Sequence, residues 1–338
     1  MTGVALSPAV LTAVGALPNC PLCVACSGGS DSVALVHLLH ASSLRERLVI
    51  VHFDHRAGRK TSARDGEFVK NLAWQLALPC EIATRALEEK IPSGESGLRM
   101  LRLKFFRRCM ARHGTPFLAT AHQRDDALET LLLRLARGGN LEALTAPRTV
   151  QRFRDGSIHL RPLLHSSKAD LVKFLKVNGW TWCEDETNGM PCHTRNRIRL
   201  QLIPLWRTFE PRRNWERSLL RSRKLLEEDQ DALASWAEKI YGQSIVGNCL
   251  KIFSLRSEPP AIQRRVLHRY FTDRELTVGA ATVDALLTAI AENRKLRLTL
   301  PRGRNCLLNG QLLSIDPPGV GQQFSNQRTV NADCAPAF

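Results

Sequence analysis

A run of small polar residues near the start of the chain has the composition of an anion-binding turn. It lies between an apolar stretch, residues 22–26, that predicts a strand, and a helix predicted to begin at Asp31. The start of a helix leaves backbone N–H groups unpaired, and the helix dipole there favours a phosphate group. No lysine follows the glycines, which excludes the GxxxxGK[ST] phosphate loop. An ordinary serine-rich turn with a helix cap is the alternative. The residues expected to bind the anion are Ser27, Gly28, Gly29, Ser30, Asp31 and Ser32.

Three carboxylates further along the chain form a second group of residues that could bind a ligand or take part in catalysis. Asp125, Asp126 and Glu129 follow a strand predicted for residues 117–121, and His122 lies just before them. Their spacing of three or four residues places them on one face of a helix. Acidic residues also stabilise the first turn of a helix, so capping is the simpler alternative. Beside a histidine at a ligand-binding edge, such a cluster can bind Mg²⁺ or a substrate ammonium group.

The elements between these two groups predict how they come together. Residues 48–54 form a second continuous apolar strand, as expected for a strand covered on both faces in a parallel sheet. In open α/β sheets ligands bind at the carboxyl ends of the strands. The sequence places the glycine turn and His122 at such ends, together with Asp54 and His55. Asp54 and His55 are therefore further candidates for ligand binding.

We predict an α/β fold for the first part of the chain, with an open, mostly parallel sheet and helices on both faces. A smaller, mainly helical domain with a terminal β hairpin follows. The expected boundaries are residues 1–213 for the first domain, 214–317 for the second and 318–338 for a disordered tail. Two local predictions are that residues 160–164 are extended, and that a basic helix beginning at Arg195 stops before Pro204.

The formal net charge of +16 favours a polyanionic partner, most simply a nucleic acid. A generally basic proteome or a preference for membrane surfaces would also produce this excess. Arg99 and Arg102 lie on a strongly basic helix predicted for residues 96–112, for which a solvated surface is the alternative role. The candidates for contact with phosphate or RNA are Arg99, Arg102, Arg137, Arg195, Asn196, Arg197 and Arg199.

The cysteines bear on both location and metal binding. Ten cysteines without a recognisable secretion signal indicate a cytoplasmic protein, and no apolar run has the length of a membrane span. Cys20, Cys23 and Cys26 have the CxxCxxC spacing of a metal or iron–sulfur site. However, Cys23 and Cys26 fall in the predicted strand, where an odd spacing places them on opposite faces. We interpret them as small buried apolar residues.

Seven motifs occur in one order over residues 22–205. They read SGGSDS, HFDHR, GLRMLR, AHQRDDALET, LRPLL, WCEDETN and RNRIRLQLIP. Together they resemble the tRNA(Ile)-lysidine synthetases, a branch of the PP-loop ATP pyrophosphatases, and the later motifs distinguish this branch from the others. The chain departs from the family pattern in two places. The loop at residues 56–59 is one residue longer, and Leu103 replaces an aromatic residue.

The resemblance implies an enzyme that ligates free L-lysine to the wobble cytidine of the isoleucine tRNA with a CAU anticodon. ATP would adenylate the cytosine and release pyrophosphate, and the lysine amine would then displace AMP. ATP and Mg²⁺ are the implied cofactors, with Asp31 as the metal ligand and Asp54 and His55 as part of the ATP site. A homodimer is a further expectation. The implied catalytic residues are Asp31, Asp125, Asp126 and Glu129, of which the last three, with His122, are the candidates for binding lysine.

Three alternative functions stay open. A PP-loop tRNA thiolase would need a sulfur-carrying cysteine or an iron–sulfur cluster, and the CxxCxxC spacing is its only support. A small-molecule amidating synthetase would not explain the high net positive charge of the chain. A non-catalytic RNA-binding protein would not need Asp31 and the complete set of carboxylates.

Overall fold

The computed structural model describes residues 4–54, 62–84, 95–184, 194–209 and 214–316. Contacts between residues divide the chain into two units, Met1–Lys224 and Leu225–Phe338. His55, the loop at residues 56–59 and the predicted tail lie outside the described residues. The domain boundary predicted at residue 213 and the disorder of the tail stay predictions.

Strands and helices alternate along the first unit. In chain order the elements are α1 (Pro8–Gly15), β1 (Leu22–Ala25), α2 (Ser30–His40), β2 (Leu48–Asp54), α3 (Ser62–Gln75), β3 (Cys80–Thr84), α4 (Glu95–Arg112), β4 (Phe117–Ala119), α5 (Arg124–Ala136), α6 (Leu141–Thr145), β5 (Val150–Arg152), β6 (Ile158–Leu160), α7 (Lys168–Val177), α8 (Thr194–Arg197) and α9 (Ile203–Phe209). A further helix, α10 (Trp215–Ser244), begins in this unit and continues into the second.

Six strands form the sheet of the first unit, in the order β3-β2-β1-β4-β6-β5. They are parallel except for β5, which pairs antiparallel with β6. The chain order changes direction between β1 and β4, and in open α/β sheets such a point opens a crevice at the carboxyl ends of the strands. The predicted mostly parallel sheet is confirmed.

Helices cover both faces of this sheet. On one face Val36 of α2 and Leu171 of α7 belong to a buried cluster that also takes in α1 and α3. On the other face Phe106 and Met110 of α4 pack with Val49 of β2. Because both faces are covered, the central strands carry apolar side chains at successive positions, which is why they read as continuous apolar runs.

The two cysteines of the first strand region pack on opposite sides of the sheet. Cys23 belongs to the cluster under α4, and Cys26 belongs to the cluster under α2. Both are buried as free thiols. Burial raises the pKa of each thiol, so both are held in the protonated form at neutral pH.

Two local predictions are wrong. Residues 160–164 are not an extended segment, because β5 and β6 form a hairpin that ends at Leu160 and Pro162 follows in a turn, where its fixed φ is suitable. The basic helix does not stop before Pro204. A π-helical turn, Ile198–Leu202, leads from α8 into α9, and Pro204 is the second residue of α9. Proline is tolerated in the first turn of a helix, where its missing N–H matters least.

Among its described residues, the second unit combines three more α-helices with an antiparallel sheet. Its further elements are β7 (Ile245–Val246), β8 (Cys249–Lys251), α11 (Phe253–Arg256), α12 (Pro260–Thr272), α13 (Ala280–Ala291), β9 (Leu296–Thr299), β10 (Asn305–Leu308) and β11 (Leu312–Asp316). The predicted terminal hairpin is confirmed as part of a larger sheet with the order β7-β8-β11-β10-β9. Tyr270 and Phe271 of α12 lie in the core of this unit. None of the helices in the described residues is long and apolar enough to cross a membrane.

Candidate active site

The glycine turn joins β1 to α2, and the Ser32 hydroxyl group holds it in place. This hydroxyl accepts a hydrogen bond from the Ser27 backbone N–H at 3.1 Å and donates one to the Gly29 carbonyl oxygen at 2.9 Å. The Ser27 and Ser32 hydroxyl oxygens lie 3.2 Å apart. The turn therefore has a fixed shape at the start of α2, where the first backbone N–H groups have no partner within the helix.

Gly28 occupies a position in the turn that other residues would strain. Its φ of +89° lies in the left-handed region that L side chains rarely adopt. A Cβ atom at this position would lie 3.4 Å from the Cys183 Sγ. The Cys183 backbone N–H also donates to the Gly28 carbonyl oxygen at 2.9 Å. The segment after α7 thus covers one side of the turn.

Asp31, the second residue of α2, is paired with a lysine from another helix. The Lys168 Nζ lies 2.9 Å from Asp31 Oδ1 and donates to the Ser30 hydroxyl oxygen at 2.7 Å. Burial raises the pKa of the Asp31 carboxyl, and the ammonium group of Lys168 opposes that shift. This pair connects the glycine turn to the first residue of α7.

The carboxylates at the start of α5 take part in a capping box. The Asp125 backbone N–H donates to Gln123 Oε1 at 2.7 Å, and the Gln123 backbone N–H donates to Asp126 Oδ2 at 3.0 Å. The Lys168 backbone N–H lies 3.4 Å from Asp125 Oδ2. Asp126 therefore has the capping role weighed in the sequence analysis, and it lies on the wall of the cleft as well.

Glu129 is fully buried, and both of its carboxylate oxygens face arginines. The Arg199 Nε donates to Oε1 at 2.6 Å, and the Arg195 Nε lies 3.2 Å from Oε2. Arg195 also donates to the Thr130 hydroxyl oxygen at 2.8 Å. Burial raises the pKa of Glu129, while the hydrogen bond and the charge of Arg199 oppose the shift. This geometry fits Glu129 as an anchor for the two arginines.

His122 is neutral at physiological pH. Burial, together with the positive charge of Arg161, lowers its pKa to about 4. The His122 Nδ1 lies 2.9 Å from the Thr120 hydroxyl oxygen. A neutral imidazole can both donate and accept a hydrogen bond and does not repel a positive charge.

Most of these residues line one cleft of about 590 Å³ in the first unit, but Gly28, Asp125 and Glu129 are not on its wall. It lies at the carboxyl ends of β1, β2 and β4, as the sheet topology requires. The predicted residues on its wall are Ser27, Gly29, Ser30, Asp31, Ser32, Asp54, Arg99, Arg102, His122, Asp126 and Arg195. The cleft thus brings together the glycine turn and the start of α5, as we predicted from strand order.

Besides Arg199, three predicted arginine and asparagine positions are not on the wall of the cleft. Arg137 is the residue after the last turn of α5, about 12–18 Å along the helix axis from the carboxylates, so it lies at the other end of this helix. Asn196 and Arg197 lie on α8, and the Arg197 side chain is exposed. The roles of all three in tRNA binding stay predictions.

The sequence reasoning missed Lys168 and Arg161. Lys168 lies 138 residues from Ser30, so no local spacing joins the two. Arg161 is buried, donates to the Arg148 carbonyl oxygen at 2.7 Å and lines the cleft. Burial lowers its pKa to about 10, and the charge of Arg99 contributes. The signal that could have found them was the LRPLL motif and the lysine that opens the helix after it. We used this motif to recognise the family and did not consider its residues as site candidates.

A family model described as a PP-loop domain matches residues 9–206. This range contains the glycine turn, the parallel sheet and the start of α5. The fold and the cleft therefore define a PP-loop protein.

Comparison with curated relatives shows which family of PP-loop proteins the chain matches. A tRNA(Ile)-lysidine synthase of Synechococcus sp. is 34% identical over 286 residues, which cover 83% of this chain and 83% of the relative. The chain belongs to the tRNA(Ile)-lysidine synthase family. Enzymes of the same name from Exiguobacterium sibiricum and Bacillus subtilis are 34% and 32% identical over 77% and 74% of this chain. The matches cover 61% and 54% of those two relatives, so the chain spans less than two thirds of their length.

Proposed function

We propose that this protein uses ATP to ligate L-lysine to the wobble cytidine of the isoleucine tRNA with a CAU anticodon. The observation that carries the proposal is one cleft whose wall holds both the anion-binding turn with Asp31 and the junction with His122 and Asp126. This cleft offers an ATP site and a site for a cationic amino acid side by side. The names of the relatives support the same reaction and do not favour a thiolase.

The reaction has two steps, and the first generates negative charge near the glycine turn. The cytosine O2 attacks the α-phosphorus of ATP, the bond to the bridging oxygen breaks, and pyrophosphate leaves with the electron pair. The ε-amine of lysine then attacks carbon 2 of the cytosine, loses its proton, and AMP leaves. The backbone N–H groups at the start of α2 stabilise the phosphates in the first step.

The start of α5 supplies the acceptor groups for the lysine ammonium. Asp126 lies on the wall of the cleft, and Asp125 Oδ2 lies 3.4 Å from the backbone N of Lys168, which is on the wall. Both oxygens of Glu129 instead face Arg195 and Arg199. We therefore assign lysine binding to Asp125 and Asp126 and a positioning role to Glu129. One carboxylate of this pair takes the proton from the attacking amine.

Asp31 is suited to bind a magnesium ion that arrives with ATP. Mg²⁺ is usually held by one or two carboxylates together with substrate phosphates. In the part of the chain that the structure describes, no group of three or more His, Cys, Asp or Glu side chains forms a metal site. A single carboxylate beside a phosphate-binding turn fits this mode of binding. The ion would neutralise charge on the phosphates.

The basic helix α4 offers a surface for the tRNA backbone. A groove of about 620 Å³ runs along it and is lined by Arg99, Met100, Leu103, Lys104, Arg107, Arg108 and Ala111. Arg99 and Leu103 also line the cleft, so the groove continues into it. Clustered cations of this kind bind phosphates and position a nucleic acid without reading its sequence. A homodimer stays a prediction.

Release of AMP tests the proposal. The protein is incubated with labelled ATP and an isoleucine tRNA transcript with a CAU anticodon, with and without L-lysine. We expect AMP to accumulate only when both tRNA and lysine are present. AMP release that ignores lysine, or that requires a sulfur donor, would contradict the proposal and move the chain to another branch of the PP-loop proteins.

A further inference from the structure

The glycine turn lacks a lysine of its own, yet the fold brings one to it. Lys168 reaches the turn from the start of α7, and its Nζ contacts both Ser30 and Asp31. In GxxxxGK[ST] loops the phosphate-binding lysine follows the glycines directly. Here a lysine from a different helix, α7, lies at the start of α2.

We propose that Lys168 is a phosphate-binding residue whose ammonium group contacts the terminal phosphates of the bound nucleotide. Its ion pair with Asp31 is then the arrangement of the nucleotide-free protein. This inference rests on the proposed function, because it takes ATP as the ligand of the cleft.

The position of Lys168 supports this role. Ser30 is the first residue of α2, so an ammonium group 2.7 Å from its hydroxyl oxygen lies at the end of the helix where an anion binds. The Lys168 side chain is about half exposed, at 46%, so it is not locked into the core and has room to change partners. A lysine ammonium is a compact charge on a flexible stem, which suits movement between a carboxylate and a phosphate.

Hydrogen bonds at the start of α7 fix the backbone of Lys168. Ser167 caps α7 by accepting a hydrogen bond from the Asp170 N–H at 3.1 Å. The Lys168 N–H lies 3.4 Å from Asp125 Oδ2 at the start of α5. The residue therefore stands between the turn and the carboxylates assigned to lysine binding.

Charge balance favours movement of the Lys168 ammonium group from Asp31 to the bound nucleotide. A nucleotide triphosphate brings several negative charges to a turn where Asp31 already carries one. Movement of the Lys168 ammonium to the phosphates neutralises part of this charge and releases the Asp31 carboxylate for a metal ion. When the bond to the α-phosphorus breaks, the electron pair goes to pyrophosphate, next to the lysine.

Calorimetric titration of the full chain tests this inference with two probes. The first is α,β-methylene-ATP, in which the reacting bond is blocked, and the second is AMP, which lacks the terminal phosphates. The variants are Lys168→Met and Lys168→Gln. Lys176→Met, on the exposed last turn of the same helix, is the matched control.

We expect both Lys168 variants to bind α,β-methylene-ATP about 10- to 100-fold more weakly, as for loss of a hydrogen bond to a charged group. AMP binding should change less than about threefold, which also shows that the variants are folded. Unchanged analogue binding, or an equal loss for both probes, would overturn the inference. Failure of the unmodified protein to bind either probe would instead contradict the proposed function.

Discussion

Asp31 is partly buried and pairs with Lys168, and the charge of Arg199 also acts on its carboxylate. We expect Asp31→Asn to lower AMP formation at least about 100-fold, because the variant loses the charge that faces the phosphates and the metal. Its dissociation constant for tRNA should change less than about twofold, as measured by filter binding.

Asp229→Asn, on an exposed position of α10, is the control and should behave like the unmodified protein. Equal losses of AMP formation and tRNA binding in Asp31→Asn would contradict the role assigned to Asp31.

Arg99 and Arg195 are both candidates for tRNA binding, but their surroundings differ. Arg99 is exposed at the junction of the cleft and the α4 groove, whereas Arg195 is paired with Glu129. Arg99→Ala should therefore reduce the slope of log Kd against log salt concentration by about one, as for loss of one phosphate contact. Arg195→Ala should leave this slope unchanged and lower AMP formation. A reduced slope for Arg195→Ala would show that it also reaches the RNA backbone.

The buried His37 side chain should make the protein less stable in mild acid. Burial, with a contribution from His40, lowers its pKa to about 4, and it stacks on Trp180 with ring centroids 3.7 Å apart. Between pH 6.5 and pH 4 the unfolded chain binds more protons at this residue, so the free energy of unfolding falls as the pH falls. At pH 5 the effect of His37 is about 1–2 kcal/mol.

His37→Phe keeps the stacking on Trp180 and removes the titrating group. Its urea midpoint should therefore fall less between pH 7 and pH 5 than that of the unmodified protein. The same fall in both proteins would contradict the assignment to His37.

At the scale of elements, the start of α7 determines where Lys168 lies. Ser167→Ala removes the cap of this helix, and we expect a loss of about 1 kcal/mol in the free energy of unfolding. Binding of α,β-methylene-ATP should weaken several-fold in titration calorimetry, since the first turn carries Lys168. Asn140→Ala removes the cap of α6 and is the matched control. It should lose similar stability while keeping nucleotide affinity; equal affinity in the two variants would argue against the role of α7.

The sequence predicted the strands that carry the site better than the strands at the β5 edge of the sheet. Strand β2 lies at the predicted residues, because its continuous apolar run is unambiguous. The hairpin of β5 and β6 was missed, since each strand has three residues and polar side chains at Gln151 and His159. The pair of Lys168 with Asp31 was missed because it depends on how helices pack, which local spacing does not encode.

At the scale of the whole molecule, the two units have separate buried cores. Tyr270 is fully buried in the second core and donates its hydroxyl to the Asn248 carbonyl oxygen at 2.7 Å. Tyr270→Ala should destabilise the second unit by about 3–5 kcal/mol, as for other large-to-small core substitutions.

Differential scanning calorimetry should then show one transition that moves down. A second transition, raised by α,β-methylene-ATP, should keep its position because the nucleotide cleft lies in the first unit. A nucleotide-dependent shift of the transition that Tyr270→Ala lowers would contradict this division.

The mass of the tRNA product tests the central claim most directly. The isoleucine tRNA with a CAU anticodon is incubated with the protein, ATP and L-lysine, digested to nucleosides and analysed by mass spectrometry. The account predicts one cytidine per tRNA that is heavier by one lysine less one water, and its absence when lysine is omitted. A cytidine of unchanged mass, or one carrying sulfur in place of oxygen, would contradict lysine ligation.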